Sequence, residues 1–334
     1  MIFSRKKSSQ DSLILREVRK VMETEAEKPL TVSVMGKTGV GKTSLLNALF
    51  GTNLATDSVR PCTKDPEPIV VKGNSEHELV FYDCPGIGES EEADLKYLKS
   101  YAKLLIESDI VLWAIEANSR DVLFDVQTLR QLLNQFGQEQ KSQLISKITF
   151  VLTKADTLFP PPWILGKINK EYGVFTPTPP IQEILEEKAT YFQEVLIYPY
   201  RDLIVGQTYQ EGNFQLEEHR ISYDQHTIFY DGFLDQENLN RLMSKYPNYR
   251  GVFERLYDNY KVIYCSSNLR FNLSQLMLVI LNKLGFNAIS RFTKFYNNES
   301  LNQVPLVAAK GYCNLIVVDP VRKRKIFDMN DLNI

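Results

Sequence analysis

Eight residues near the amino terminus, GKTGVGKT at positions 36–43, have the types and spacing needed to hold a chain of phosphates. The three glycines allow the backbone to curl so that successive amide N–H groups point at one anion. In this pattern Lys42 reaches the β- and γ-phosphates, and the Thr43 hydroxyl ligates Mg²⁺. A helix that begins near Thr43 points its positive end at the same phosphates. The stretch therefore predicts a phosphate-binding loop, and a chance glycine-rich turn is the alternative.

A second group of candidate residues follows within fifty positions. An apolar run at 79–83 ends in Asp83, and a carboxylate at the end of such a strand can hold Mg²⁺ through the water shell of the metal. Gly86 lies three residues further on, and its amide can approach a γ-phosphate because glycine has no side chain in the way. In the polar loop 52–67, Thr63 is the best candidate for a further Mg²⁺ ligand, and an ordinary surface threonine is the alternative.

A third candidate group is TKAD at 153–156, which ends another apolar run. The Asp156 carboxylate can accept hydrogen bonds from both N1–H and N2–H₂ of guanine, a donor pair that adenine lacks. The aliphatic part of Lys154 is expected to lie along the purine face. These residues predict a guanine site. An ATPase or a small-molecule kinase is the alternative, and it requires this match to be accidental.

Short apolar runs and amphipathic stretches alternate along the chain and must position these groups. Such alternation, with a phosphate loop after the first strand, predicts an α/β fold of three layers, with a mostly parallel sheet and helices on both faces. A hairpin over 69–83 adds one antiparallel edge strand. The Pro-rich segment 157–180 is expected to be an irregular loop. Strands are predicted at 30–35, 69–72, 79–83, 110–116 and 147–156, and a last strand with its loop at 261–267. Helices are predicted at 11–27, 44–50, 91–107, 122–136, 181–198 and 272–284, the last capped by Asn272.

Composition bounds the class of protein. The chain has 334 residues and a formal net charge of −2, so no overall basic field favours nucleic acid. Its four cysteines are scattered, which argues against a zinc site or a disulfide framework and fits a reducing cytosol. No apolar run approaches the roughly 20 residues of a membrane-spanning helix. We expect a cytoplasmic protein. The helix at 11–27 is expected to pack on the main domain, with a membrane-surface or partner helix as the alternative.

The set GKTGVGKT, Thr63, DCPG, TKAD and the CSS loop at 265–267 resembles, in order, the motifs of the Era-like GTPases, a group of P-loop GTPases. The first motif, with PCTKD and DCPGIGES behind it, is especially similar to a small group of bacterial, often prophage-borne, Era-like proteins. It also resembles the corresponding loops of septin-like and immunity-associated GTPases. The resemblance covers roughly residues 30–157 and 261–284.

This resemblance implies binding of GTP and GDP with Mg²⁺, and hydrolysis of GTP to GDP and phosphate. It places a G domain at 29–285 with an insert at about 201–258, between an N-terminal helix at 1–28 and a C-terminal extension at 286–334. The residues implied for the nucleotide are Lys37, Thr38, Gly39, Val40, Gly41, Lys42, Thr43 and Ser44 at the phosphates, and Thr153, Lys154, Asp156, Ser266 and Ser267 at the base. The metal ligands implied are Thr43, Thr63 and Asp83, and the catalytic group is Lys42, Thr63 and Gly86.

The chain departs from the family pattern at four positions. Thr153 stands where the family has Asn, and Ser267 stands where it has Ala; both changes are expected to have little effect. Gly39 replaces the Asn of potassium-stimulated relatives, so we expect no large effect of potassium on turnover. Ile87 follows DCPG, where many GTPases have a Gln that orients the attacking water. Slow hydrolysis is therefore expected, on the order of 10⁻³ s⁻¹ or below without a partner.

Catalytic help must then come from elsewhere. The possibilities are another residue near DCPG, of which Glu89 is the nearest, an arginine from a partner or a second copy, or no such help at all. Arg60 and Arg120 are further candidates, with ordinary surface arginines as the alternative. Two functions remain open: a slow GTPase that acts as a nucleotide-controlled switch, and a GTP-dependent scaffold with little or no turnover. The expected partners are guanine nucleotide and either a protein effector or a second copy bound in a nucleotide-dependent dimer. Nucleic acid is not expected, since no G-x-x-G clamp follows residue 285 and the aromatic residues of the insert have few basic neighbours.

Overall fold

The computed structural model describes residues 28–53, 68–72, 78–83, 101–158, 163–210, 214–224, 227–284, 301–309, 315–319 and 324–326. The predicted helix at 11–27 lies outside the described residues, as does most of the one at 91–107, of which residues 101–107 are helical. The strands are β1 Leu30–Met35, β2 Pro68–Lys72, β3 Glu78–Asp83, β4 Ile110–Glu116, β5 Ile148–Thr153, β6 Trp163–Lys167, β7 Tyr172–Pro177, β8 Gly206–Gln210, β9 Ile221–Tyr223, β10 Thr227–Asp231, β11 Ile263–Tyr264, β12 Gln303–Pro305, β13 Leu315–Asp319 and β14 Arg324–Ile326. The helices are α1 Lys42–Phe50, α2 Val122–Leu133, α3 Gln138–Lys147, α4 Pro179–Leu196, α5 Gln236–Lys245, α6 Arg250–Asp258, α7 Leu273–Lys283 and α8 Leu306–Ala309.

A six-stranded sheet with the order β11-β5-β4-β1-β3-β2 forms the centre of the molecule. Every neighbouring pair is parallel except β2 and β3, which pair as an antiparallel hairpin at one edge. The predicted α/β class, the mainly parallel sheet and the antiparallel edge strand are confirmed. Since parallel strands end at the same edge, the chain segments that follow β1, β3, β4, β5 and β11 meet there.

Helices cover both faces of this sheet. Alternate residues of β4 show why: Leu112 and Ala114 join the core beneath α1 and α7, whereas Val111 and Trp113 join the core beneath α2, α3 and α4. Successive side chains of a strand point to opposite faces, so a fully apolar strand such as β4 fills both cores. The helix α3 was not predicted, because the segment 138–147 is largely polar and buries only Leu144 and Ile145.

The Pro-rich segment after β5 is not an irregular loop throughout, so that prediction was wrong. Residues 163–177 form the hairpin β6–β7, which belongs to a second sheet with the order β12-β7-β6-β13-β14. The prolines do not interrupt it. Pro177 is the last residue of β7, and the next two prolines occupy the first turn of α4, where a missing backbone N–H costs nothing.

Residues 206–258 contain a third sheet, with the order β8-β10-β9, and the helices α5 and α6. These elements share their own apolar cluster, which includes Ile228, Tyr230, Leu242 and Phe253. The unit contacts α7 directly, because the Thr208 hydroxyl donates a hydrogen bond of 2.9 Å to the carbonyl oxygen of Asn282. The domain boundaries named above stay a prediction.

Candidate functional site

The phosphate loop lies between the end of β1 and the start of α1, at the carboxyl edge of the central sheet. Gly36, Gly39 and Gly41 all have positive φ angles, of 140°, 82° and 93°. At Gly36 glycine is required for a second reason, since a Cβ would lie 2.2 Å from the carbonyl oxygen of Ala114 in β4. The turn therefore has the curled backbone that the spacing of the glycines predicts.

Lys42 is the first residue of α1, and its side chain turns back into this loop. Its ammonium donates hydrogen bonds to the carbonyl oxygens of Gly36 at 3.1 Å and of Lys37 at 3.3 Å. Lys42 is only 8% exposed. The residue before it, Gly41, has no side chain with which to cap the helix, so the amides at the start of α1 are not capped from that position. A cation and a helix amino terminus thus converge on one concave turn, which is an arrangement that favours an anion.

The other residues of the phosphate loop differ in how far their side chains are exposed. Val40 is buried in the core beneath α1, whereas Thr38 and Gly39 are exposed. Thr43 and Ser44 are partly exposed in the first turn of α1. The loop is therefore anchored through an apolar side chain on one side and open on the other.

Asp83 is the last residue of β3, and its backbone lies opposite Val34 of the parallel strand β1. The end of β3 thus lies at the same sheet edge as the phosphate loop. The side chain of Asp83 lies outside the described part of the structure. Thr63 and Gly86 lie outside the described residues, as do Ile87, Glu89 and Arg60.

Thr153 joins the base-binding candidates to the phosphate loop. Its hydroxyl is 2.5 Å from the carbonyl oxygen of Val40 and 3.1 Å from that of Ile115, and the residue is 2% exposed. A hydroxyl has one proton, and the shorter contact assigns that proton to Val40. The threonine therefore ties the end of β5 to the phosphate loop across 113 residues of sequence.

Lys154 follows with a left-handed backbone, at φ 53°. Its ammonium lies 3.5 Å from the Glu116 carboxylate at the end of β4. The aliphatic part of the side chain passes the phosphate loop, since a Cβ on Gly41 would lie 3.8 Å from Lys154 Cε. The Lys154 side chain is therefore close to the phosphate loop, and its position along the face of a base stays a prediction.

Asp156 is partly exposed, and its carboxylate accepts a hydrogen bond of 3.3 Å from the side-chain amide of Asn268. The loop that carries Asn268 is held against TKAD by backbone bonds, from Ala155 N to the carbonyl of Cys265 at 3.0 Å and from Cys265 N to that of Leu152 at 2.8 Å. Burial raises the pKa of the Cys265 thiol to about 12, so the thiol stays neutral at physiological pH.

The two serines of that loop have different surroundings. Ser266 is fully buried, and its hydroxyl accepts a hydrogen bond of 3.0 Å from the amide of Leu269. Ser267 is partly exposed beside it. The Ser266 side chain thus shapes its own loop, and Asn268 is the member of the loop that holds Asp156. Sequence reasoning missed Asn268, and only its position two residues after Ser266 could have suggested it.

Asp121 and Phe124, which both contact Lys37 of the phosphate loop, were also missed. The Lys37 ammonium lies 2.7 Å from the Asp121 carboxylate and 4.3 Å from the centre of the Phe124 ring. The hydrogen bond from Lys37 lowers the pKa of Asp121. Arg120, a candidate catalytic arginine, is the exposed neighbour of Asp121 in the loop between β4 and α2.

Residues 31–154 match the family model described as 50S ribosome-binding GTPase. Over 148 residues the chain is 32% identical to Uncharacterized protein YfjP of Escherichia coli K12, which covers 44% of this chain and 47% of that protein. It is 31% identical over 128 residues to GTPase Era of Ruminiclostridium cellulolyticum, covering 38% of this chain and 40% of Era. The chain thus spans less than half of the length of these relatives.

Among solved structures, this chain is similar to Toc33 of Arabidopsis thaliana in complex with Mg²⁺ and GMPPNP. The match covers 58% of this chain and 72% of the Toc33 chain, at 20% identity and a TM-score of 0.37. Residues 31–154 are thus similar to the Era-like P-loop GTPases, both in sequence and in the geometry of the phosphate loop. Within the described part of the chain, no helix is both long enough and apolar enough to cross a bilayer.

Proposed function

We propose that this protein binds GTP and GDP with Mg²⁺, hydrolyses GTP slowly to GDP and phosphate, and acts as a nucleotide-controlled switch. One observation carries the proposal: the Thr153 hydroxyl binds the carbonyl oxygen of Val40. This bond joins the phosphate loop to the strand that leads into Asp156, so the groups for the phosphates and for the base form one continuous site. Since Asp156 can accept two hydrogen bonds from guanine and none of that pattern from adenine, the site is proposed to select guanine.

The residues of the chain have separate tasks in this proposal. Lys42 and the amides of residues 37–44 hold the phosphates and neutralise charge on them, which is the main protein contribution in phosphoryl transfer. Lys154 packs along the base, and the Ser266–Ser267 loop offers a backbone amide to its carbonyl oxygen. Thr63 and Gly86 are proposed to contact the γ-phosphate.

The chain also has the donor set for Mg²⁺. Thr43 lies one residue after Lys42 in the first turn of α1, and β3 brings the backbone of Asp83 to the same sheet edge. Hydroxyl and carboxylate oxygens suit this hard cation. Thr43, Thr63 and Asp83 are proposed to hold it, directly or through water, and the ion would neutralise charge on the β- and γ-phosphates.

Ile87 supports a slow rate of GTP hydrolysis, and it is also consistent with a second function. An aliphatic side chain cannot orient water, so hydrolysis is proposed to depend on Glu89, on an arginine such as Arg60 or Arg120, or on a partner. The alternative is a GTP-dependent scaffold with little or no turnover. A protein effector, or a second copy bound across the nucleotide, is the proposed partner in either case.

Calorimetry with Mg²⁺ present tests the binding proposal. We expect heat from GTP and GDP, no competition from ATP, and no binding by Lys42→Ala. Lys103→Ala is the matched control, since Lys103 is an exposed lysine whose ammonium lies 3.8 Å from Glu107, and it should bind as the wild type does. Absence of heat with either guanine nucleotide would refute the proposal. Phosphate release followed over hours, with Lys42→Ala as the blank, separates a slow GTPase from a scaffold.

A further inference from the structure

Lys37 connects the phosphate loop to two other parts of the site, Lys42 and the start of α2. Its backbone carbonyl accepts a hydrogen bond from the Lys42 ammonium. Its side chain leaves the loop and reaches the start of α2, where Asp121 and the ring of Phe124 hold the ammonium. Any shift of the Lys37 backbone therefore also shifts a partner of Lys42, the residue proposed to bind the phosphates.

The start of α2 is a firm anchor for this contact. Asp125, in the first turn of α2, is 3% exposed and accepts a hydrogen bond of 2.9 Å from the Trp113 indole N–H. Trp113 belongs to β4, in the middle of the central sheet, and is 1% exposed. The first turn of α2 is thus fixed to the sheet, and Asp121 and Phe124 are fixed with it.

We propose that Lys37 and Asp121 are positioning residues, a P-loop tether that holds the phosphate loop in its nucleotide-binding conformation by tying it to α2. The inference rests on the proposed function, because the loop it positions is the proposed nucleotide site. The Lys37 side chain is 32% exposed and that of Asp121 is 63% exposed. An ion pair that is exposed to this extent, supported by a ring contact, stabilises the loop only modestly. Loss of the tether is expected to speed GDP dissociation about three- to tenfold.

A competing explanation is that Lys37 acts as a free positive charge near the phosphates. The two explanations give the same result for Lys37→Ala and opposite results for Asp121→Ala. If Asp121 holds a tether, its removal speeds GDP dissociation as the removal of Lys37 does. If Lys37 acts only by charge, removal of the competing carboxylate frees the ammonium for the phosphates and slows dissociation.

The test is GDP dissociation from the full-length protein, measured with a fluorescent GDP analogue for the wild type, Lys37→Ala, Asp121→Ala and the double variant. We expect Lys37→Ala, which removes both the ion pair and the ring contact, to release GDP about three- to tenfold faster. Asp121→Ala should give a smaller increase in the same direction, because the contact of Lys37 with Phe124 remains, and the double variant should be no faster than Lys37→Ala. Lys37→Arg should restore most of the retention, because it can still pair with the carboxylate. The effect should shrink in 1 M salt, which screens exposed charges.

Lys103→Ala is the control for removal of a surface lysine, and thermal unfolding of each variant guards against a general loss of stability. Unchanged dissociation in both single variants, or slower dissociation in Asp121→Ala, would overturn the tether while leaving nucleotide binding intact. A wild type that binds no guanine nucleotide would overturn the proposed function together with it.

Discussion

At the scale of single residues, Thr153 is a position at which the chain departs from the Era-like pattern that it resembles. The family has Asn at this position, and the structure shows a shorter side chain that still reaches the carbonyl oxygen of Val40. The contact is possible because β5 and the phosphate loop approach closely at the carboxyl edge of the sheet. We predict that this position needs a hydrogen-bond donor, which the Thr153 hydroxyl supplies.

Replacement of Thr153 by Val tests this interpretation, because Val has nearly the same shape and no donor. The carbonyl oxygen of Val40 would lose its partner in a buried place, which costs about 1–3 kcal/mol. We expect lower stability by that amount and weaker GDP binding, measured by thermal unfolding and calorimetry. Thr157→Val is the control, since the exposed Thr157 hydroxyl donates only to the carbonyl of Lys154. Equal GDP affinity in Thr153→Val and the wild type would contradict the prediction.

Asp125 gives a prediction about pH. Burial is the main cause that raises the pKa of this carboxyl from 3.8 to about 6. In the unfolded chain the carboxyl ionises near pH 4, so the folded state holds the proton to higher pH than the unfolded state does. Stability therefore falls as the pH rises from about 4 to 6, and the full cost of the buried charge applies above that range.

Asp125→Asn removes this charge and keeps an oxygen that can accept from the Trp113 indole. We expect it to raise the free energy of unfolding by about 1–3 kcal/mol at pH 7.5, with the gain vanishing near pH 4. Denaturant unfolding at the two pH values measures the difference. A gain of equal size at both would show that the effect does not come from the carboxylate charge.

At the scale of elements, the small unit at 206–258 is held by charge as well as by its apolar cluster. Glu218, whose side chain is 8% exposed, lies 3.2 Å from Arg241 and 3.0 Å from Lys245, both in α5. The Tyr246 hydroxyl also lies 2.9 Å from this carboxylate. The hydrogen bond from Lys245 is the main cause that lowers the pKa of Glu218 to about 2. This carboxylate therefore fastens α5 to the segment before β9.

Glu218→Gln should loosen α5 while leaving the central sheet unchanged. A depressed carboxyl pKa stabilises the fold above about pH 4.3, and that stability is lost as the pH falls through 2. We expect the variant to be less stable by about 1–2 kcal/mol at pH 7 and the difference to narrow toward pH 2. Hydrogen exchange should speed up in α5 and not in β4. Glu217→Gln, which changes a neighbouring carboxyl on the same segment, is the matched control. If hydrogen exchange in α5 were equally fast in Glu217→Gln, that result would count against a specific role for Glu218.

At the scale of the whole molecule, the second sheet joins segments that are far apart in sequence. Residues 315–318 of β13 pair in parallel with residues 163–166 of β6. Trp163 and Leu165 of β6 are buried in the core beneath α2, α3 and α4. The strand β6 thus contributes to the main core, and one of its edges is paired with β13 from the C-terminal part of the chain.

Deletion of residues 310–334 removes β13 and β14 and leaves the edge of β6 unpaired. Unpaired strand edges invite association, so we expect a less stable protein that self-associates, measured by light scattering and thermal unfolding. Amide exchange over 163–167 should also rise. Deletion of residues 327–334 alone keeps both strands and should behave as the full chain does. A truncated protein that stays monodisperse with an unchanged Tm would contradict this role for β13.

The sequence alone determined the parts of this protein whose physical causes are local. Glycine spacing places the phosphate loop, short continuous apolar runs place the strands of the central sheet, and the hairpin at 69–83 follows from two such runs around a short turn. Asn272 was correctly placed at the start of α7, but its side chain does not cap the helix; its amide donates to the carbonyl of Tyr264. Local pattern indicates where a helix begins and does not indicate which partner a polar side chain finds there.

Only the tertiary structure decided the contacts that join distant segments. The bonds of Lys37 to Asp121, of Thr153 to Val40 and of Asn268 to Asp156 span 84, 113 and 112 residues. The hairpin β6–β7 was missed because its segment is rich in proline, and its place in the second sheet depends on partners more than 120 positions away. No periodicity within a segment reports such pairings, because they depend on which strand ends meet at one edge of a sheet.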